Sequence, residues 1–167
     1  MSLTLVDTAG SASANTYASI DTASTYFSER LHNSTWLAAS LEDRKAALIW
    51  ATRVLDYSVD WVGTAMVSTQ ALRWPRSGVY TPDSVTVDTT AIPDFIVYAT
   101  CELAAQLLVS DRFADADTKG YRQMKVGDLY LEIDKWDRPQ VLSKAVWWYI
   151  SNYGVAISGQ KRILERC

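Results

Sequence analysis

Hydrophobic positions recur at helical spacing in several stretches of the chain. Leu48, Ala51, Leu55 and Val59 follow one another at three and four residues, which is an amphipathic stripe. Ser40-Leu41-Glu42-Asp43 ahead of it resembles a capping box, with Asp in place of the usual Glu or Gln, and the helix is predicted to run to about Ser58. An earlier helix is predicted from Ile20 to about Leu31, capped by Ser19 and anchored by Tyr26, Phe27 and Leu31. A further one starts at Pro93, which suits a first helical turn, and is expected to reach about Arg112. Through Phe95, Ile96, Val97, Leu103, Leu107, Leu108 and Val109 it is apolar nearly all round. It is therefore expected to be the buried central helix, with Glu102 and Gln106 marking its more polar face.

Other segments carry other periods. Asp60 to Ala91 is punctuated by Gly63, Pro75, Gly78 and Pro82 and reads as an irregular strap, longer than the roughly 12–15 residues of an ordinary long loop. Arg122 to Ile133 alternates around Val126-Gly127-Asp128-Leu129, which predicts one small hairpin. Val141 to about Asn152 predicts a last helix carrying Trp147, Trp148 and Tyr149 in a row. Three consecutive side chains cover most of a helix's circumference, so part of the set is expected to face another subunit. Residues 1–14 read as a flexible arm, 15–154 as the helical domain with its hairpin near 122–133, and 155–167 as a C-terminal docking tail. The expected fold is mainly α, a helical bundle with a long irregular strap and one small β-hairpin.

Composition narrows the function. The chain has 167 residues, 49% of them apolar and 21% charged, which suits one folded domain with a real core. A net charge of −3 argues against a protein whose main work is coating nucleic acid, while leaving room for a local basic patch. No apolar run approaches the ~20 residues that span a bilayer, the N-terminus lacks the features of a secretory signal, and no membrane partner is expected. Cys101 and Cys167 form no disulfide framework and no Cys-x-x-Cys pair, and Cys101 is expected to be buried packing. Seven tryptophans and nine tyrosines are a heavy aromatic load, which favours an assembly protein.

Candidate chemistry is sparse. His32, the only histidine, lies in a polar stretch without a Gly-x-Ser-x-Gly elbow, so a solvated loop residue is expected. Asp115 to Gly120 has the glycine of a calcium loop, but Lys119 and Val126 stand where oxygen ligands belong. Glu132 and Asp134 read as a solvated strand face, and no glycine-rich phosphate loop is present. No enzyme, no cofactor and no metal are expected. The most informative segment is Gln70-Ala71-Leu72-Arg73-Trp74-Pro75-Arg76. An indole between two guanidiniums suits a surface that meets another molecule, and equally a strap packed over the domain's own core.

Several segments together resemble a family of tailed-phage proteins. They are Asn15-Thr16-Tyr17 with Ser19, Ala23 with Tyr26-Phe27, Leu48-Ile49-x-Ala51-Thr52-x-x-Leu55-Asp56, Trp61-x-Gly63, Gln70 to Arg76, Ile92-Pro93, Glu102-Leu103-Ala104 and Lys125 to Leu129. Members are labelled DnaT-like single-stranded-DNA-binding proteins, and those with an understood place in particles look like head–tail connector, or neck adaptor, proteins. The resemblance implies a twelve-fold ring of self-associated subunits below the portal protein. The ring would continue the channel to a downstream tail or neck protein, with DNA passing through without specific binding. That structural role, in the virion neck after assembly in the host cytoplasm, is the function expected first. Its interface would include Gln70, Arg73, Trp74 and Arg76 in the strap, Trp147 and Trp148 in the last helix, and Lys161, Arg162 and Arg166 in the tail. The alternative is a DnaT-like single-stranded-DNA-binding protein in phage replication, with Arg73, Trp74 and Arg76 stacking bases and holding phosphates.

Overall fold

The computed structural model describes residues 3–112, 123–126, 129–132 and 141–157. The chain divides into two units, Met1–Ser110 with Leu142–Cys167, and Asp111–Val141. In the first, α1 (Ile20–Glu29), α2 (Ser34–Ala38), α3 (Leu41–Ser58), α4 (Asp94–Leu107) and α5 (Lys144–Ile150) build the helical core. α4 packs against α1, α3 and α5. The fold is mainly α, as its periodicity predicts.

Local chemistry sets the helix ends. The Ser19 hydroxyl accepts from the Thr22 amide, Ser40 from the Asp43 amide and Ser143 from the Val146 amide, so three helices begin on serine caps. Ser40 also donates to the Asp43 carboxylate at 2.7 Å. The capping pair thus closes side chain to side chain; in the usual box a longer Glu or Gln reaches the cap's own amide. α1 stops two residues before the expected Leu31 because Arg30 turns to extended backbone and reaches Glu102; Leu31 is consequently 82% exposed and anchors nothing. α4 ends at Leu107 rather than near Arg112, and Val109, expected in its apolar surface, is exposed. The expected stripe of Leu48, Ala51, Leu55 and Val59 is buried throughout.

The segment after α3 contains short strands. β1 (Val59–Trp61) pairs antiparallel with β6 (Gly154–Ala156), Asp60 opposite Val155. Val155 and Ala156, expected in the docking tail, therefore lie in a strand that Gly154 begins, and the Ile157 amide continues the tie to the Ser58 carbonyl. β2 (Thr64–Ala65) pairs with β3 (Arg76–Ser77), which closes the strap on itself. Residues 3–14, expected as a flexible arm, are bonded to the core. Val6 exchanges amide and carbonyl bonds with Asn15, the Leu3 amide donates to Glu42, and the Ala71 amide donates to the Ser11 carbonyl. In the second unit β4 (Gln123–Val126) and β5 (Leu129–Glu132) form the expected antiparallel hairpin, with Val126 opposite Leu129. Gly127, Asp128 and the turn Asp115–Gly120 lie outside the described residues.

Two glycines make the strand contacts close enough. At Gly63, φ is +77° and an added Cβ would lie 2.2 Å from the Ser77 carbonyl oxygen. At Gly154 it would lie 2.4 Å from Val59 Cγ1. Gly63→Ala is expected to cost about 2–4 kcal/mol, since it combines an unfavourable backbone region with a backbone clash. Urea unfolding monitored by tryptophan fluorescence measures it; a midpoint equal to that of the parent chain would show that β2 and β3 do not approach so closely.

Candidate functional site

The strap is built inward. Trp74 is 1% exposed, with its ring edge-on to Trp61 at 5.6 Å and to Phe95 at 5.4 Å, and Phe95 stacks on Tyr153 at 3.8 Å. The Trp74–Pro75 peptide is cis. Asp56 on α3 clasps the segment: its carboxylate accepts from the Tyr17 hydroxyl at 2.5 Å and from the Arg73 amide at 3.1 Å, and the Tyr17 oxygen accepts from the Trp74 amide at 3.2 Å. The Tyr17 amide in turn donates to Thr52 Oγ1. Burial pushes the Asp56 carboxyl up to about 6 despite these donors, and burial beside the Asp56 charge holds the Tyr17 phenol well above its usual range.

The remaining signature residues also face inward. Gln70 donates through its amide to the Leu72 and Pro75 carbonyls and accepts from the Val67 amide, folding the strap back on itself. The Arg76 guanidinium donates to the carbonyls of Trp61, Val62, Gly63 and Arg73. Burial and the nearby Arg73 charge lower its pKa. Trp74, expected as an interface residue able to stack a base, has no face to present, and the Arg76 guanidinium is spent on backbone carbonyls. Of the expected basic-aromatic triplet, Arg73 alone is exposed.

Among the other expected interface residues, Trp147 is partly covered by its neighbours while Trp148 is 75% exposed. Lys161, Arg162 and Arg166 lie outside the described residues. Glu102, expected on the polar face of α4, is only 4% exposed. Its charge is met by Arg30, through Nε and by Nη2 at 3.0 Å, and by the Tyr26 hydroxyl at 2.6 Å. Cys101 beside it is fully buried, and burial pushes its thiol up to about 12.

A feature the helical stripe did not announce lies on the opposite side of α3. Ala46, Trp50, Arg53 and Tyr57, spaced four, three and four apart, form one solvent-facing row. Trp50 is 44% exposed and Tyr57 80%. Asp56, three residues beyond Arg53 on the helix and one before Tyr57, accepts from the Arg73 amide, so the backbone of a second exposed arginine meets the helix next to this row. The signal was present in the sequence as two large aromatics and an arginine on the polar face of an amphipathic helix.

The clasp has a pH signature. Because the folded-state carboxyl is raised above its usual value near 3.8, the native state binds the proton more tightly between about pH 4 and 6. Asp56 therefore contributes a loss of stability as pH rises through that window, at most about 3 kcal/mol for a shift of this size and less for a half-buried group. The stability difference between the parent chain and Asp56→Asn should accordingly become less favourable to the parent from pH 4 to pH 6. Parallel pH profiles in chemical denaturation would contradict it.

No curated protein and no solved structure matches the chain. A family model described as "Putative DnaT-like ssDNA binding protein" matches residues 1–146. That description names DNA binding, not a structural connector, and so corrects the head–tail connector reading drawn from the resemblance. Because the match covers far more than half of the 167 residues, the chain belongs to the DnaT-like ssDNA-binding family.

Proposed function

We propose that this protein binds single-stranded DNA without strong sequence preference, using the outer face of α3. The observation that carries the reading is the exposed row of Trp50, Arg53 and Tyr57 with Arg73 beside it. Every base has a π-face, so stacking on an aromatic tolerates sequence, while a guanidinium between two rings can hold the phosphate that links successive bases. An exposed tyrosine at a helix surface has little to pack against in its own chain, which leaves its ring free for such stacking. The family description supports the same ligand.

The acidic balance shapes the expected behaviour. With a net charge of −3 the chain lacks a broad basic field, so attraction must be local and the number of neutralised phosphates small. Two arginine–phosphate contacts give a slope of log K on log salt of about −1.4, at about −0.7 for each contact to a single strand.

Fluorescence anisotropy of a labelled thymidine oligonucleotide of about 16 residues tests this. Tyr57→Ala is expected to weaken binding by about 1–3 kcal/mol, the usual worth of one stacked base. Arg53→Ala with Arg73→Ala should flatten the salt dependence almost completely. Because Tyr57, Arg53 and Arg73 are exposed, the thermal midpoint should hold in all three. Full affinity in a folded Arg53/Tyr57/Arg73 triple variant would dispose of the α3 site.

A further inference from the structure

A second aromatic surface is carried by α4 and α5 rather than α3, and its charged neighbours on α1 and α4 are acidic. From Trp36 inside the core a chain of rings runs outward. Trp36 stacks on Phe27 at 4.6 Å, Phe27 meets Tyr26 edge-on at 5.2 Å, and Tyr26 stacks on Tyr98 at 5.1 Å. Tyr98 meets Tyr149 at 5.8 Å, and Tyr149 lies against Trp148 at 5.2 Å. Trp36 is 1% exposed and Trp148 75%, so the series ends at the surface in an exposed Trp148 beside the half-buried Tyr98 and Tyr149.

Carboxylates edge this surface. Asp94 opens α4 one turn before Tyr98, and the i, i+4 spacing sets it beside the ring on the same helix face. Glu29 lies at i+3 from Tyr26, whose ring stacks on Tyr98. Both acids are exposed. The phenol of Tyr98 feels them: its pKa is raised first by the Asp94 charge, then by burial, then by Glu29. The Arg30 guanidinium, at the C-cap of α1 next to Glu29, is already closed on Glu102 and on the carbonyls of Leu31 and His32. Lys144, one turn before Trp148, stands at the far end.

We infer that the Tyr98–Tyr149–Trp148 surface, with Asp94 and Glu29, is a docking site for an arginine-bearing segment of a protein partner. The chemistry selects the occupant by charge complementarity. A guanidinium can lie on an aromatic face and bond a carboxylate at its edge at the same time. A phosphodiester would meet two carboxylates there and be repelled. The ring series gives the site a rigid base, since each ring is packed on the next down to the core, so little rotamer freedom is lost when a cation stacks on it. This site is independent of the α3 face and does not rest on the DNA-binding reading.

Isothermal titration of the full chain with an end-blocked hexa-arginine peptide tests the inference. Binding is expected, tighter than for hexa-lysine because a guanidinium stacks where an ammonium does not. The Glu29→Gln/Asp94→Asn variant should bind about fivefold or more weakly and Trp148→Ala about two- to fivefold, in line with the worth of exposed cation–π contacts. Asp7→Asn/Asp83→Asn removes the same net charge elsewhere and should leave affinity unchanged. Equal losses in the two double variants would reduce the effect to net charge and overturn the site, as would no binding at all. Loss of thymidine-oligonucleotide binding in Trp148→Ala would assign the surface to nucleic acid and overturn it as well. Trp148 is mostly exposed, so its replacement keeps the test independent of folding.

Discussion

One carboxylate ties the molecule together. Asp56 receives the Tyr17 hydroxyl from the N-terminal segment and the Arg73 amide from the strap, and it stands on the longest helix. Three pieces far apart in sequence therefore meet at one acceptor. Their meeting sets Trp74 over the core, which in turn fixes Trp61, Phe95 and Tyr153. A charge held away from water is costly on its own, and here each oxygen keeps a donor, so the cost is partly offset by bonds that fix geometry.

The same logic repeats at Glu102, where Arg30 and Tyr26 converge from α1 on a nearly buried acid of α4. The two sites share a design in which a helix supplies the acceptor and a neighbouring segment the donors. Both place an aromatic hydroxyl against an acid inside a densely aromatic chain. Ten rings lie in two contacting series, one under the strap and one from Trp36 outward, and the hydroxyls of Tyr17 and Tyr26 find partners at the two carboxylates.

Much of the fold was legible in the sequence and little of the site was. Serine caps at 19 and 40 and the stripe through Leu48 to Val59 announced α1 and α3, because caps and periodicity are local chemistry. The strands β1, β2, β3 and β6 were not announced. Each is two or three residues long and exists only through a distant partner, as with Trp61 opposite Gly154. Glu102 looked like a solvent-facing residue because nothing near it in sequence shows that Arg30 will reach it. The segment from Gln70 to Arg76 read equally as a ligand contact and as a strap over the core, because indole and guanidinium have the same chemistry towards a base as towards their own chain. Only the carbonyls of Trp61, Val62 and Gly63, brought up by β1 and the turn after it, reveal that Arg76 is occupied.

Tyr17, Asp56, Gly63, Gln70, Trp74 and Arg76, six of the residues that carry the family likeness, are engaged in holding the chain to itself. The row proposed to meet DNA, Trp50, Arg53 and Tyr57, lies on the exposed side of α3, whereas Asp56 turns to the strap. The clasp and the proposed binding face thus lie on different sides of one helix. A substitution on the outer face of α3 is therefore free to change what the chain meets without loosening the clasp at Asp56.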